Sequence, residues 1–228
     1  MKIKNDLTII FLTASQVPEN WAKYQKAILL KAARGLPIIT ISRKPLDWGQ
    51  NLIDRKPHTN SNIYFQLLRG AKIATTPYIA VAEDDTLYPM KHFHSFRPPL
   101  DTFAYNHNRM GLCTWGRPVY GWKYRPSNAV LIAPRELLIE ALEERFRKFP
   151  NGTPYDLTGE VGRRDVEDRL GLTRRKSTSF DTTISVLRID HDFGFDILAK
   201  SHSKYVGAVR ATSIPHWGRA KDIIKRFK

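Results

Sequence analysis

Glu83, Asp84 and Asp85 place three carboxylates side by side, directly behind the apolar run Tyr78-Ile79-Ala80-Val81-Ala82 and directly before the turn residues Thr86 to Pro89. Adjacent acids repel one another, and a divalent cation is the usual partner that offsets the repulsion. Hard carboxylate oxygens suit Mg2+ or Mn2+, and these ions in turn favour phosphate-bearing ligands. The apolar run reads as a strand that delivers the acids at its end, and in an open α/β sheet ligands gather outside the carboxyl ends of the strands. A solvated acidic turn behind a buried strand is the alternative, and the residues alone leave both open.

A second segment, Trp115-Gly116-Arg117-Pro118-Val119-Tyr120-Gly121-Trp122-Lys123-Tyr124-Arg125, interleaves aromatic rings with cations. Such a stretch can stack sugars or unpaired bases while its cations hold phosphate. It can equally be a loop whose rings plug into the core. The chain as a whole carries 37 Lys plus Arg against 22 Asp plus Glu, a formal net charge of +15. That field concentrates polyanions, with nucleic acid the first partner to consider and anionic membrane surface the second. Basic residues are densest at Arg163-Arg164, Arg174-Arg175-Lys176 and Lys221 to Lys228.

The elements that must position these groups follow from periodicity. Leu7 to Leu12 reads as a buried strand. Behind Pro18, the residues Trp21, Tyr24, Ile28 and Ala32 recur at helical spacing until Gly35. Pro37 to Ser42 is a second β-rich run, and residues 43 to 61 form a polar, proline-containing loop. Asn60 or Ser61 can cap a second helix with Ile63, Leu67, Ala71 and Ala74 on one face. Strand, helix, strand, helix and strand before the acid cluster predict a mostly parallel sheet with helices on its faces. Farther on, Thr102 to Tyr105, Ala129 to Ile132 and Thr183 to Ile189 read as strands. Pro134 opens a helix with Leu137, Leu138, Ala141, Leu142 and Phe146. A loop over residues 150–162 precedes a short charged helix, and Ala220 to Lys228 forms a basic amphipathic helix. No linker divides the chain, so one α/β domain is expected over 1–228, with 1–110 as a nucleotide-binding half and 111–228 as an acceptor and catalytic half.

Several chemistries are disfavoured. No G-x-G-x-x-G follows the first strand, and G-x-x-x-x-G-K-[ST], H-E-x-x-H and G-x-S-x-G do not occur, so phosphates are expected to rest on a metal and on Arg or Lys. Cys113 is the single cysteine, which excludes an intrachain disulfide and a thiolate zinc cage. Apolar runs are far shorter than a membrane span. Met1-Lys2-Ile3-Lys4 with Leu7 to Ala14 superficially looks like a signal peptide, but Asp6 and Thr8 interrupt it. A cytoplasmic location is therefore expected.

With the stretch Ala80 to Pro89, then His92-Phe93, Pro98-Pro99, Asp101 and Tyr105-Asn106-His107-Asn108, and with Ser42 to Asn51 upstream, the chain resembles glycosyltransferases of the GT-A fold, in a bacterial and phage branch of the family-2-like group. The resemblance covers about residues 7 to 110 and, more weakly, Gly159 to His191. It implies a GT-A single domain that moves a hexose or pentose from a nucleotide-sugar, a UDP-sugar by preference, with Mn2+ or Mg2+ as cofactor. Carried over by position, Asp85 would be the metal ligand bridging to the donor diphosphate. Glu83 or Asp84 would contact ribose or orient the metal's waters. Thr13 and Ser15 would lie near the base, with Ser42 close by. His191, at the end of a late β-rich run, would complete the metal shell, with His202 and His216 as rivals. A catalytic base is expected among the acids of residues 159–168, Glu160 or Asp165 before Glu167 and Asp168, which also suit a helix start.

For the acceptor, the charge and the aromatic segment point to Trp115, Trp122, Arg174 and Arg175 as contacts to nucleic acid. DNA bearing hydroxymethyl-pyrimidines is the substrate that the phage resemblance implies. Chemistry on a base inside a duplex requires flipping it or widening the groove. Transfer to a lipid or surface glycan, with the basic tail on anionic membrane, a nuclease, and a non-enzymatic nucleic-acid-binding protein are the competing readings.

Overall fold

The computed structural model describes residues 5–57, 59–192 and 210–228. Strand β1 (Leu7–Thr13) is buried along its whole length, as a strand covered on both faces must be. It is followed by α1 (Glu19–Ala33), β2 (Ile38–Ser42), β3 (Gln50–Ile53), α2 (Asn62–Ile73) and β4 (Tyr78–Glu83). β1 pairs in parallel with β2 and β4, and β2 with β3. Helix α1 stops where Arg34 turns left-handed, its N–H bonded to the Leu30 carbonyl. Helix α2 lies close on β1 because Gly70 has no side chain: a Cβ there would stand 2.9 Å from Ile10.

The remainder comprises β5 (Thr86–Leu87), α3 (Met90–His94), β6 (Thr102–Asn106), β7 (Arg109–Cys113), β8 (Tyr120–Trp122), β9 (Leu131–Pro134), α4 (Arg135–Lys148), α5 (Arg164–Leu170), β10 (Lys176–Phe180), β11 (Val186–Asp190), β12 (Arg210–Ala211), β13 (Ser213–Ile214), β14 (Gly218–Arg219) and α6 (Ala220–Phe227). The main sheet runs β10-β6-β9-β4-β1-β2-β3, and only β9 opposes its neighbours. The fold is thus α/β with a mostly parallel central sheet flanked by helices. A second sheet, β12-β8-β7-β11-β5, packs a smaller core of Trp21, Leu112, Tyr120, Leu187, Ile189 and Phe227. The sheets exchange strands across position 110: β9 and β10 join the first, and β5 joins the second.

Two expectations need correction and two gain detail. Residues 43–61 are not loop throughout, because β3 adds a short edge strand whose polar residues hid it. The Ala129 strand begins later, at Leu131, after a 3-10 turn over Asn128–Val130. Helix α1 fully buries Trp21, Gln25, Leu29 and Ala32, whereas Tyr24 and Ile28 are half-buried. The tail helix α6 turns Ile223 and Phe227 into the core, with Phe227 5.0 Å from the Trp21 ring. Burying two such side chains contributes about 1.5–3 kcal/mol each, so this face holds the fold and is not offered to a membrane. Among the described residues no helix is long and apolar enough to cross a membrane. Residues 1–4, the charged start of the signal-like stretch, lie outside the described residues, and Leu7 onward is β1.

Candidate active site

The acidic turn is clamped through its backbone. Trp21 Nε1 donates to the Asp84 carbonyl at 2.8 Å, and Gln25 Nε2 donates to the carbonyls of Glu83 at 3.3 Å and Thr86 at 3.1 Å. The Ile189 N–H donates to the Asp85 carbonyl at 2.8 Å, tying β11 to the turn. Tyr88 Oη accepts the Glu83 N–H and donates to the Ala129 carbonyl, both at 2.9 Å. Buried backbone groups left unpaired are costly, and here two side chains of α1, the Tyr88 hydroxyl and a backbone N–H of β11 satisfy them. The two aspartate carboxylates accept bonds from neighbouring threonines. Thr13 Oγ1 donates to Asp84, and Thr86 Oγ1 donates to Asp85 at 2.6 Å.

Burial dominates the electrostatics. It lifts the Glu83 carboxyl to about 7, with Arg188 pulling down and Asp85 pushing further up. Burial and then Asp85 raise Asp84 to about 7 against the Thr13 hydrogen bond. Arg188 stands 3.3 Å from Asp85 Oδ2 and 3.8 Å from Asp190 Oδ1. Asp85 above all holds this guanidinium well above its ordinary value. Burial opposes the charge of Asp190, but Arg188 and Lys123 outweigh it and keep the carboxyl below the usual range. Lys123 reaches Asp190 only because Gly111 has no side chain in its path.

A cavity of about 480 Å3 opens at the carboxyl ends of β1, β2 and β4. It gathers Thr13, Glu83, Asp84, Asp85, Glu160 and His191 of the sequence-predicted site, with Arg43, Asn62, Arg125, Arg163 and Arg188 around them. Glu160 arrives from the loop before α5 and accepts a 2.9 Å bond from Arg163 Nη1. Burial lowers the His191 imidazole, and its ring lies 5.0 Å from Phe227.

Other predicted residues stand off the cavity lining. Ser15 donates its N–H to Thr13 Oγ1, and Ser42 is buried, donating to the Lys44 carbonyl. Asp165 is exposed and bound by Arg163. Trp115 is half-buried, and Trp122 is exposed, 5.1 Å from the Tyr124 ring. Arg174 pairs with Asp168. Arg175, only 6% exposed, pairs with Glu140 and Glu144. Glu167 is buried and accepts the N–H groups of Gly162 and Arg175, a structural duty. His216 is exposed beside Trp217, and His202 lies outside the described residues.

Sequence reading passed over several residues at this site. Gln25 had a signal: an amide four residues after Trp21 on an otherwise apolar helix face. Arg188 sat inside a β-rich run with no mark of its role. Asp54, just past the unexpected β3, accepts 2.7 Å bonds from Asn62 and from Gln66 and anchors both on the cavity wall.

Among the described residues no three His, Cys, Asp or Glu side chains converge to form a metal cage. One hard carboxylate, Asp85, and one imidazole, His191, do line the same cavity. This donor set fits a divalent ion that shares its remaining positions with a phosphate-bearing ligand, not one held by protein alone.

No protein-family model matches the chain, and no curated protein matches it. Among solved structures, it is similar to a glycosyltransferase involved in glycosylation of the major capsid of PBCV-1, with 14% identity and a TM-score of 0.47 over 80% of this chain and 91% of the other. It is similar to the Pyrobaculum calidifontis mannosyltransferase in complex with GDP-Man and Mn2+, at 12% identity and a TM-score of 0.44 over 81% of this chain, spanning 56% of that protein. It is also similar to an inositol-1-phosphate CTP transferase from T. maritima, at 9% identity and a TM-score of 0.45, covering 81% of this chain and 89% of the other. No activity is assigned from likenesses this distant.

Proposed function

We propose that the protein is a metal-assisted glycosyltransferase of the GT-A type that moves a sugar from a nucleotide-sugar, a UDP-sugar by preference, to a hydroxyl acceptor. The observation that carries this reading is the meeting, in one cavity, of the strand-end acids Glu83, Asp84 and Asp85 with Glu160 from a distant loop. The cavity volume suits a ligand of nucleotide-sugar size. Asp85 and His191 would hold Mn2+ or Mg2+, which when bound neutralises charge on a leaving diphosphate. Thr13, Asp84 and the Asp54-anchored Asn62 form the wall for the nucleoside. Arg43 faces the same space and supplies a cation to phosphate. Glu160 is the base that takes the proton from the acceptor hydroxyl, favoured over Asp165 because Asp165 is 58% exposed and off the cavity lining.

The acceptor reading is DNA carrying hydroxymethyl-pyrimidines. The net charge of +15 supports it, as do the exposed rings of Trp122 and Tyr124 one step from Arg125 on the cavity wall. Arg174 and Arg175 contribute less, since both are engaged by acids.

Thermal shift with a panel of nucleotide-sugars, with and without Mn2+, tests the donor. A ligand that binds only the folded state raises the melting temperature, and no shift with any donor would refute the enzyme. For the acceptor, hydroxymethyl-pyrimidine DNA and unmodified DNA are offered with the same donors, and digested nucleosides are examined for a hexose or pentose increment. DNA affinity should also fall steeply with salt. Transfer to a lipid or glycan extract without any DNA product would overturn the acceptor and keep the enzyme class.

A further inference from the structure

Arg188 is the cation nearest Asp85, and it comes from β11 at the point where Ile189 hydrogen-bonds the turn backbone. Its Nε is buried and has no hydrogen-bond partner, although it faces Asp85 Oδ2 at 3.3 Å and Asp190 Oδ1 at 3.8 Å. Asp190 already has its own partner in Lys123. The guanidinium is therefore committed to the acidic turn, by charge more than by a formed hydrogen bond. An arginine side chain does not give up its proton in a protein, so this positive charge is permanent. It stands where the reading given above puts a divalent ion, against the same carboxylate.

We propose that Arg188 is a specificity-determining residue of the acidic turn, a built-in counter-cation that competes with divalent metal for Asp85. The inference rests on the assignment of Asp85 as a metal ligand. A fixed unit charge a few ångströms from an incoming cation repels it strongly, even at the effective dielectric of a protein surface. The protein alone then binds metal poorly. A nucleoside diphosphate changes the balance, because it brings negative charge that a guanidinium can bind in two-pronged fashion and oxygens that complete the metal's shell. Arg188 thereby couples metal uptake to donor uptake, and the acidic turn is kept from filling with free cation in between.

The test is a titration of the intact protein with Mn2+, reading free Mn2+ by electron paramagnetic resonance, with no sugar donor present. Wild type should bind Mn2+ weakly alone and at least about tenfold more tightly with UDP, from the charge balance just described. Arg188→Gln should bind Mn2+ at least about tenfold more tightly than wild type without UDP, and the added benefit of UDP should shrink. Arg188→Met, with an unbranched apolar side chain, repeats the measurement if the Gln variant does not fold, as judged by circular dichroism. Tight Mn2+ binding by wild type alone would overturn the proposal without any variant, and so would unchanged or weaker binding in a folded Arg188→Gln or Arg188→Met protein. Adding Asp85→Asn to Arg188→Gln should abolish the gain. If the gain persists in that double variant, the ion sits elsewhere and the competition for Asp85 is refuted, while donor thermal shifts judge the glycosyltransferase reading separately.

Discussion

Between Glu83 and Asp85, three carboxylates crowd a strand end with Arg188 as their near cation, and burial lifts two of them to about 7. Between Glu160 and Lys176 the chain mixes acids with arginines, and most of these charges are held in ion pairs. Asp165 meets Arg163 at 2.7 Å and Arg169 at 3.7 Å, Asp168 meets Arg174, and Lys176 meets Asp101 at 2.6 Å. The Arg174 hydrogen bond holds Asp168 below the ordinary carboxylate range. The two regions differ in composition, acids alone against acids mixed with arginines, and they differ in solvent access. Surface acids are paired and screened, whereas burial at the cavity disfavours the charge of Glu83 and Asp84 and leaves Arg188 as the near cation of Asp85. Glu160 is the one acid of the second region that the loop carries across to the first.

The largest expected effect comes from Asp85, the proposed metal ligand. Asp85→Ala should lower donor turnover at least about 100-fold, the scale of losing a preorganised charge at a reacting group. Asp168→Ala should leave turnover within about twofold, as a screened surface pair predicts. Full transfer by purified, folded Asp85→Ala would erase the contrast between the regions.

Glu160→Gln and Asp165→Asn sharpen it next. Glu160→Gln should cost about 100-fold in turnover while the donor-induced thermal shift persists. Asp165→Asn should change little. The reverse ranking in steady-state rates would move the base to Asp165.

A smaller effect concerns stability against pH, measured in EDTA. An acid whose pKa rises on folding stabilises the fold while protonated, and that contribution is lost as pH climbs from its unfolded value to its folded one. For Asp84 this window runs from 3.8 to about 7. Asp84→Asn removes the penalty and should raise the melting temperature at pH 8 by about 2–4 °C, equivalent to about 1 kcal/mol. The gain should vanish near pH 4, and a gain independent of pH would contradict the assigned cause.

The smallest effect belongs to the exposed pair. Arg174→Ala should shift the urea midpoint by no more than the scatter of the measurement, and by less still in high salt. A urea midpoint that drops by several times that amount would show that the second region is not the self-cancelling surface described here.

Much of the first sheet was readable because its strands are long apolar runs whose period betrays burial. Of the second sheet only β11 was readable, because β7 mixes Arg109 and Gly111 with its apolar residues while β8 and β12 run for only three and two residues. β10 escaped for a related reason: it is an edge strand with four exposed residues before Phe180. The tail helix showed its amphipathic face correctly, but a face does not name its partner, and here the partner is Trp21.

The sequence by itself determined the α/β alternation of the first half, the strand that ends in acids, and the positive field around the chain, since these depend on local periodicity and on sums of charge. Only the tertiary structure decided which acids lie together. Glu160 joins the turn while Asp165 does not, Gln25 and Trp21 hold the turn's carbonyls, and Arg188 faces Asp85. Each of these is a meeting between residues far apart in the chain. It is set by how two sheets and the helices between them pack, and no local pattern encodes that distance.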